Sequence, residues 1–248
     1  PSPKLIEGLI SNDSTIAGMI VASPDYYGNI APLKEYSSLL KKYGRHLLVD
    51  GAHGAHLAFG QLGAGYAGVY ADLWVDGAHK TLPTLTQGAI VSSNNDELLP
   101  ALKEGLSMFR TTSPSFPIMA SVEYGLKYIK NNPKIMEEAV AAVTAFREKF
   151  PYRLYPSADK MKIAVDCEPL GVSADDVTVL LEKKGVYPEL SDGRYVLFYL
   201  SPMTTAADLA KLQSAFTSAV NSRKLKKQYV ARAELSPVER TYSYLYAL

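Results

Sequence analysis

Cysteine is nearly absent from this sequence of 248 residues. Cys167 stands alone, which excludes an intramolecular disulfide framework and a cysteine-based zinc site and fits a reducing compartment. No charge of either sign dominates. The 26 Lys and Arg balance 25 Asp and Glu to a net charge of +1, so no global field points to nucleic acid or an anionic membrane surface. Long hydrophobic runs are missing as well. The most apolar early run, Ile16 to Ala22, is far too short to span a bilayer, and no basic region followed by a long apolar stretch resembles a signal peptide. With 47% hydrophobic residues the chain can bury a substantial core, so the expectation is a soluble, cytoplasmic α/β protein that handles a small molecule, with no nucleic-acid or membrane partner and no metal.

The first half reads as a βαβ pattern. Ile16 to Ala22 is a continuous apolar run ended by Ser23-Pro-Asp25, the texture of a strand covered on both faces of a parallel sheet. Pro32 to Lys42 has helical spacing at Leu33, Tyr36, Leu39 and Leu40, and His46 to Asp50 reads as a second short strand with an acid at its carboxyl end. Ala71 to Asp76 and Gly88 to Ser92 read as further strands, with Lys80 in the turn between them. Helices are expected over Asp96 to Phe109, from Ile118 onward, and over Lys134 to Phe150. Beyond Tyr152, strands (Lys162 to Asp166, Tyr195 to Leu200) alternate with helices (Asp175 to Lys184, Thr205 to Ser222), which suggests a smaller α/β unit. The expected division is 1–133 for a large cofactor-binding domain, 134–222 for the small domain and 223–248 for a linker or tail.

Ligands of parallel sheets bind beyond the carboxyl ends of the strands, where this sequence places Asp50, His53, His79 and Lys80. An amine can form a Schiff base with an aldehyde, and a carboxylate opposite can keep a pyridine nitrogen protonated. Taken alone, a strand-end aspartate is more often a turn or helix cap, and a His-Lys pair a solvated loop. The motif detail decides between these readings.

Val49-Asp-Gly-Ala-His-Gly-Ala-His56, followed by Ala71-Asp-Leu-Trp-Val-Asp-Gly-Ala-His-Lys-Thr-Leu-Pro-Thr-Leu-Thr-Gln-Gly88, closely resembles the ornithine/lysine/arginine decarboxylase family of pyridoxal-phosphate enzymes. Further likeness lies in Ser23-Pro-Asp-Tyr-Tyr-Gly28, in Thr112 to Ser121, in Gly185-Val-Tyr-Pro-Glu189 and, more weakly, in Leu235-Ser-Pro-Val-Glu239. The resemblance implies the mostly parallel sheet of a transferase-like, fold type I large domain with a smaller α/β domain. It implies that Lys80 forms the Schiff base, Asp50 pairs with the pyridine nitrogen, Ala52 lies against the ring, and His79 sits beside the phosphate. The Thr112 and Ser113 loop would reach a partner subunit's site, so a homodimer or higher oligomer is expected. His53 follows the motif and could orient Asp50 or the substrate, whereas His56 reads as structural.

Two positions depart from the family. Gly77 stands where the family has Ser, leaving a backbone N–H rather than a hydroxyl for the phosphate, and Pro237-Val-Glu239 replaces Pro-Arg-Glu. The family's phosphate-cradling loop and ring-stacking residue would lie upstream of Pro1, and its C-terminal domain beyond Leu248, so an incomplete chain is expected. The implied activity is decarboxylation of ornithine, lysine or arginine, with Glu189 and Glu239 as guesses for the distal cation. The alternatives are another fold type I enzyme, an aminotransferase or lyase using Arg194 or Arg110 as carboxylate clamp, and a truncated or degenerate homologue acting as an interaction module.

Overall fold

The structure, a computed structural model, describes residues 1–222. The expected tail 223–248, with Glu239 and the Leu235 to Glu239 motif, lies outside the described residues.

The chain enters through helix α1 (Pro3–Asn12), which the sequence reading did not anticipate. Ser2 caps it by accepting from the Leu5 N–H, Pro3 occupies the first turn, and Ile6 and Ile10 form its buried stripe. Strand β1 (Gly18–Ala22), helix α2 (Leu33–Lys42), strand β2 (His46–Gly51), strand β3 (Leu73–Asp76), the single helical turn α3 (Ala78–Thr81) and strand β4 (Ile90–Ser93) follow. They build a four-stranded sheet in the order β1-β2-β3-β4. The first three strands are parallel, with Asp50 level with Ala22 on one side and Val75 on the other. The short connection through α3 turns β4 antiparallel to β3.

Helices α1 and α2 cover one face of this sheet, where Leu33, Tyr36 and Leu40 pack with Leu47, Val49 and Trp74. The expectation that β1 is covered on both faces is corrected. It is an edge strand of the described sheet, and Ile20, on the face away from α1 and α2, is 75% exposed. That face meets helix α4 (Leu99–Phe109) across an apolar groove of about 600 Å³ between Ile20, Leu48 and Leu73 and the helix residues Leu102, Leu106 and Phe109.

Helices α5 (Phe116–Asn131) and α6 (Pro133–Lys149) lead to a second sheet. Its strands β5 (Lys162–Asp166), β6 (Leu190–Ser191) and β7 (Tyr195–Tyr199) run antiparallel in the order β5-β7-β6. Helices α6, α7 (Ala174–Glu182) and α8 (Ala206–Val220) pack on one face of it, with Val143, Phe146, Val177, Leu181, Leu212 and Phe216 against Ile163, Val165 and Phe198. A capping box between Thr205 and Asp208 starts α8. Strand β5 alternates, so Lys162 lies on the face opposite Ile163, paired in register with Tyr199. Among the described residues no helix is long and apolar enough to cross a membrane.

Candidate active site

Three loops meet at the carboxyl ends of β1, β2 and β3. The first, Ser23 to Gly28, is folded by Asp25, whose Oδ1 accepts the N–H groups of Tyr27 and Asn29, both at 2.9 Å. Gly28 closes this turn at φ 82°, and a β-carbon there would come within 3.0 Å of the Lys162 side chain. The turn presents the Tyr26 ring to His53 at a centroid distance of 4.4 Å.

The second loop follows β2. Asp50 accepts the Ala52 N–H at 3.0 Å through Oδ1 and is otherwise exposed at the strand end. His53 is 6% exposed. The third loop follows β3, where α3 carries His79 and Lys80. Lys80 Nζ lies 3.1 Å from His53 Nε2 and 5.9 Å from the centre of the Tyr26 ring. Among the described residues no carboxylate lies in ion-pair range of Lys80. Its amine therefore faces an imidazole and not an anion.

That imidazole is neutral. Burial, then the nearby charges of Lys162 and Lys80, lower the His53 pKa to about 4, against the weaker pull of Asp50 and Asp25. The neutral ring nitrogen can accept a hydrogen bond from the lysine amine, which an imidazolium could not do.

The remaining expected residues divide. Ala52 and Gly77 are in close contact, since a β-carbon on Gly77 would stand 2.4 Å from the Ala52 carbonyl oxygen. A side chain at position 77 therefore requires the Ala52 carbonyl to shift. His79 Nδ1 donates to the Gly88 carbonyl at 2.9 Å, a tautomer assigned from that contact. Thr112 and Ser113 are not brought to Lys80. They are exposed in the loop between α4 and α5 and line a separate groove of about 1130 Å³ with Arg110, whose lining includes neither Lys80, His53 nor Asp50. Arg194 is engaged by Asp166 at 2.9 Å and Glu168 at 2.8 Å.

His56 is held by the fold. Its Nε2 lies 3.1 Å from Asp159 Oδ1 with both side chains buried. Burial pushes the Asp159 carboxyl up, but the His56 hydrogen bond, the charges of His56 and Lys162 and the Met161 N–H together leave it below the usual range.

Sequence reasoning missed Tyr26, Tyr199, Asp159 and Lys162. The Tyr199 ring stands 5.3 Å from His53, and Lys162 Nζ lies 3.1 Å from the centre of the Tyr199 ring. Tyr26 was within reach as part of the Ser23 to Gly28 motif. Lys162 gave no such signal, because a lysine opening a strand reads as solvated.

The profile of the Orn/Lys/Arg decarboxylase major domain matches residues 4–163, which hold all three loops. The chain belongs to the Orn/Lys/Arg decarboxylase family. It is 28% identical over 198 residues to the uncharacterized protein YaaO of Bacillus subtilis, covering 74% of this chain and 41% of YaaO. To the arginine decarboxylase of the same organism it is 28% identical over 220 residues, covering 81% and 44% of the two chains. The chain thus spans less than half the length of these curated relatives. The lysine decarboxylase of Francisella novicida superposes with a TM-score of 0.73 at 18% identity, over 87% of this chain and 38% of that one. An SPT structure with PLP superposes with a TM-score of 0.69 at 20% identity, over 88% and 59%. The fold is that of the type I pyridoxal-phosphate enzymes, α/β with a mostly parallel sheet.

Proposed function

We propose that this chain is the cofactor-binding part of a pyridoxal-phosphate-dependent decarboxylase of a basic amino acid, with Lys80 as the amine that holds the cofactor. The observation that carries this reading is the contact of Lys80 with a neutral His53 at 3.1 Å, at the carboxyl ends of parallel strands, inside the segment matched by the family profile.

The residues present fit the group. An amine free of carboxylate partners is what covalent attachment to an aldehyde requires. Asp50 would hold the ring nitrogen, Ala52 would lie against the ring, and His79 with the Gly77 backbone would stand at the phosphate. When bound, pyridoxal phosphate supplies an electron sink for the bond that loses CO₂. The chain's own work is to bind and orient. His53 accepts a hydrogen bond from Lys80 and fixes the direction of its amine, while Tyr26 and Tyr199 flank the imidazole and keep water from it.

Neither arginine considered as an α-carboxylate clamp stands free at the site, which favours decarboxylation over transamination: Arg194 is committed to Asp166 and Glu168, and Arg110 lines the separate groove away from Lys80. Ornithine, lysine and arginine are the candidate substrates, the cytoplasm is the proposed location, and a homodimer is the proposed assembly, with the Thr112 and Ser113 loop as contact to the partner. We also infer that the chain divides near residue 133 into a large and a small domain. Purified protein mixed with pyridoxal phosphate should develop a visible absorption band that Lys80→Ala abolishes, and should release CO₂ from one of the three amino acids. A chain that binds the cofactor but releases CO₂ from none of them would remove the substrate assignment, and a chain with no band would remove the reading itself.

A further inference from the structure

Among the described residues, Lys162 is the charge that the fold and the site leave least explained. It is 1% exposed, opens a strand of the second sheet, and its Nζ has no hydrogen-bond partner. A buried ammonium is costly unless paired, and here the pairing is incomplete. The Tyr199 ring supplies a cation–π contact at 3.1 Å from one side. Asp159 and Glu189 attract it from a distance, but burial dominates, and the Lys162 pKa is lowered to about 8. Lys162 therefore stays charged across the acid range in which a histidine takes up its proton.

The charge has a target. Tyr199, which carries Lys162 on its ring, also packs edge-on against His53 at 5.3 Å, and His53 touches Lys80. The groups that face His53 come from every neighbouring element. Lys80 on α3 and Lys162 on β5 oppose its protonation, Asp50 at the end of β2 and Asp25 in the loop after β1 favour it, and Tyr26 and Tyr199 shut out water. Burial does most to disfavour the charged ring, and the Lys162 and Lys80 charges add to it. His53 Nδ1 and Tyr199 Oη are themselves buried without partners, so among the described residues the ring meets a hydrogen-bonding group only at Nε2, where Lys80 stands.

We propose that Lys162 is a positioning residue for Lys80 that acts through His53: its buried ammonium, seated on the Tyr199 ring that packs edge-on against the imidazole, adds to the effect of burial and extends to lower pH the range in which Lys80 meets a neutral ring nitrogen. A protonated His53 would turn a second donor toward the Lys80 amine, and the two cations would part. The second sheet thereby takes part in the site through one charge that touches neither Lys80 nor His53. This rests on Lys80 being the reactive amine, but its test does not need the cofactor.

The test is a proton titration of the histidine rings by NMR on the whole chain without cofactor, in the wild type, Lys162→Met and Lys162→Arg. The wild-type His53 midpoint is expected near 4. Lys162→Met should raise it by about one pH unit, while Lys162→Arg, which keeps the cation, should leave it low. A lysine with a purely structural role would change the melting temperature and not the midpoint. A folded Lys162→Met protein with an unmoved His53 midpoint, or an arginine variant shifted as far as the methionine one, would overturn the proposal. Should the methionine variant not fold, the Lys162 side-chain nitrogen in the wild type decides. Protonation throughout the His53 titration supports the proposal, and a neutral amine in that range overturns it. Failure of cofactor attachment would count against the proposed function and leave this titration standing.

Discussion

The two sheets use similar apolar strands to different ends. In the second, every residue of β5 is buried and three helices close over Ile163, Val165 and Phe198. In the first, α1 and α2 close one face, while the opposite face leaves Ile20 75% exposed and Asp50 at the surface. The comparison teaches that apolar texture reports what a strand can bury and not what covers it. The candidate site lies where the two sheets meet, with Lys80, His53 and Asp50 from the open one and Lys162 and Tyr199 from the closed one.

Perturbing each sheet in turn sharpens the contrast. The largest effect belongs to Lys80. Lys80→Ala should remove all borohydride-stable attachment of pyridoxal phosphate while leaving the far-ultraviolet circular dichroism unchanged, because the side chain fills no core. Next comes the closed core. Phe216→Ala should cost about 3–5 kcal/mol in chemical denaturation, since the ring is wholly buried between Phe150 and Tyr152.

Acid should then weaken the seam between the sheets. The folded His53 pKa of about 4 lies below its unfolded value of about 6.5, so between these values the unfolded chain binds more protons and stability rises with pH. His53 stability is complete above pH ~6.5 and is lost as pH falls toward 4, by on the order of 2–3 kcal/mol. His53→Gln should flatten that part of a stability profile measured by urea denaturation.

Smaller effects follow at Gly77 and Ile20. Gly77→Ser drives a β-carbon toward the Ala52 oxygen, at 2.4 Å if nothing moves, and should cost about 1–3 kcal/mol in thermal unfolding. Ile20→Ala, on the open face, should change stability by no more than about 0.5 kcal/mol. A loss of several kcal/mol at Ile20 would erase the contrast between the sheets.

Much of this was legible in the sequence, for reasons that can be named. Strand Lys162 to Asp166 was bounded correctly because its apolar run is flanked by turn residues, and the helices of two turns or more from Leu33 to Val220 were found within a few residues from their spacing, whereas the single turn α3 was read as a turn between strands. Helix α1 carried its own signal in Ser2, Pro3, Ile6 and Ile10, but the apolar strand behind it drew the reading. Strand β6 has two residues, too few for any pattern. Asp50, His53 and Lys80 were legible because they lie in two short motifs, each local in the chain. The contacts of Tyr199 and Lys162 with that site were not, because pairing of β5 with β7 creates them and no local pattern encodes a charge turned inward. The Thr112 and Ser113 loop was read as reaching a partner subunit's site, and in the fold it stands apart from this chain's own Lys80.

Peptide mapping after borohydride treatment of the pyridoxal-phosphate-treated chain tests the central claim most directly, because one lysine meets the imidazole and a second is seated on the Tyr199 ring that packs against it. The account predicts stoichiometric label on Lys80 and none on buried Lys162. Label on Lys162, on surface lysines in proportion to their exposure, or on no lysine at all would contradict it.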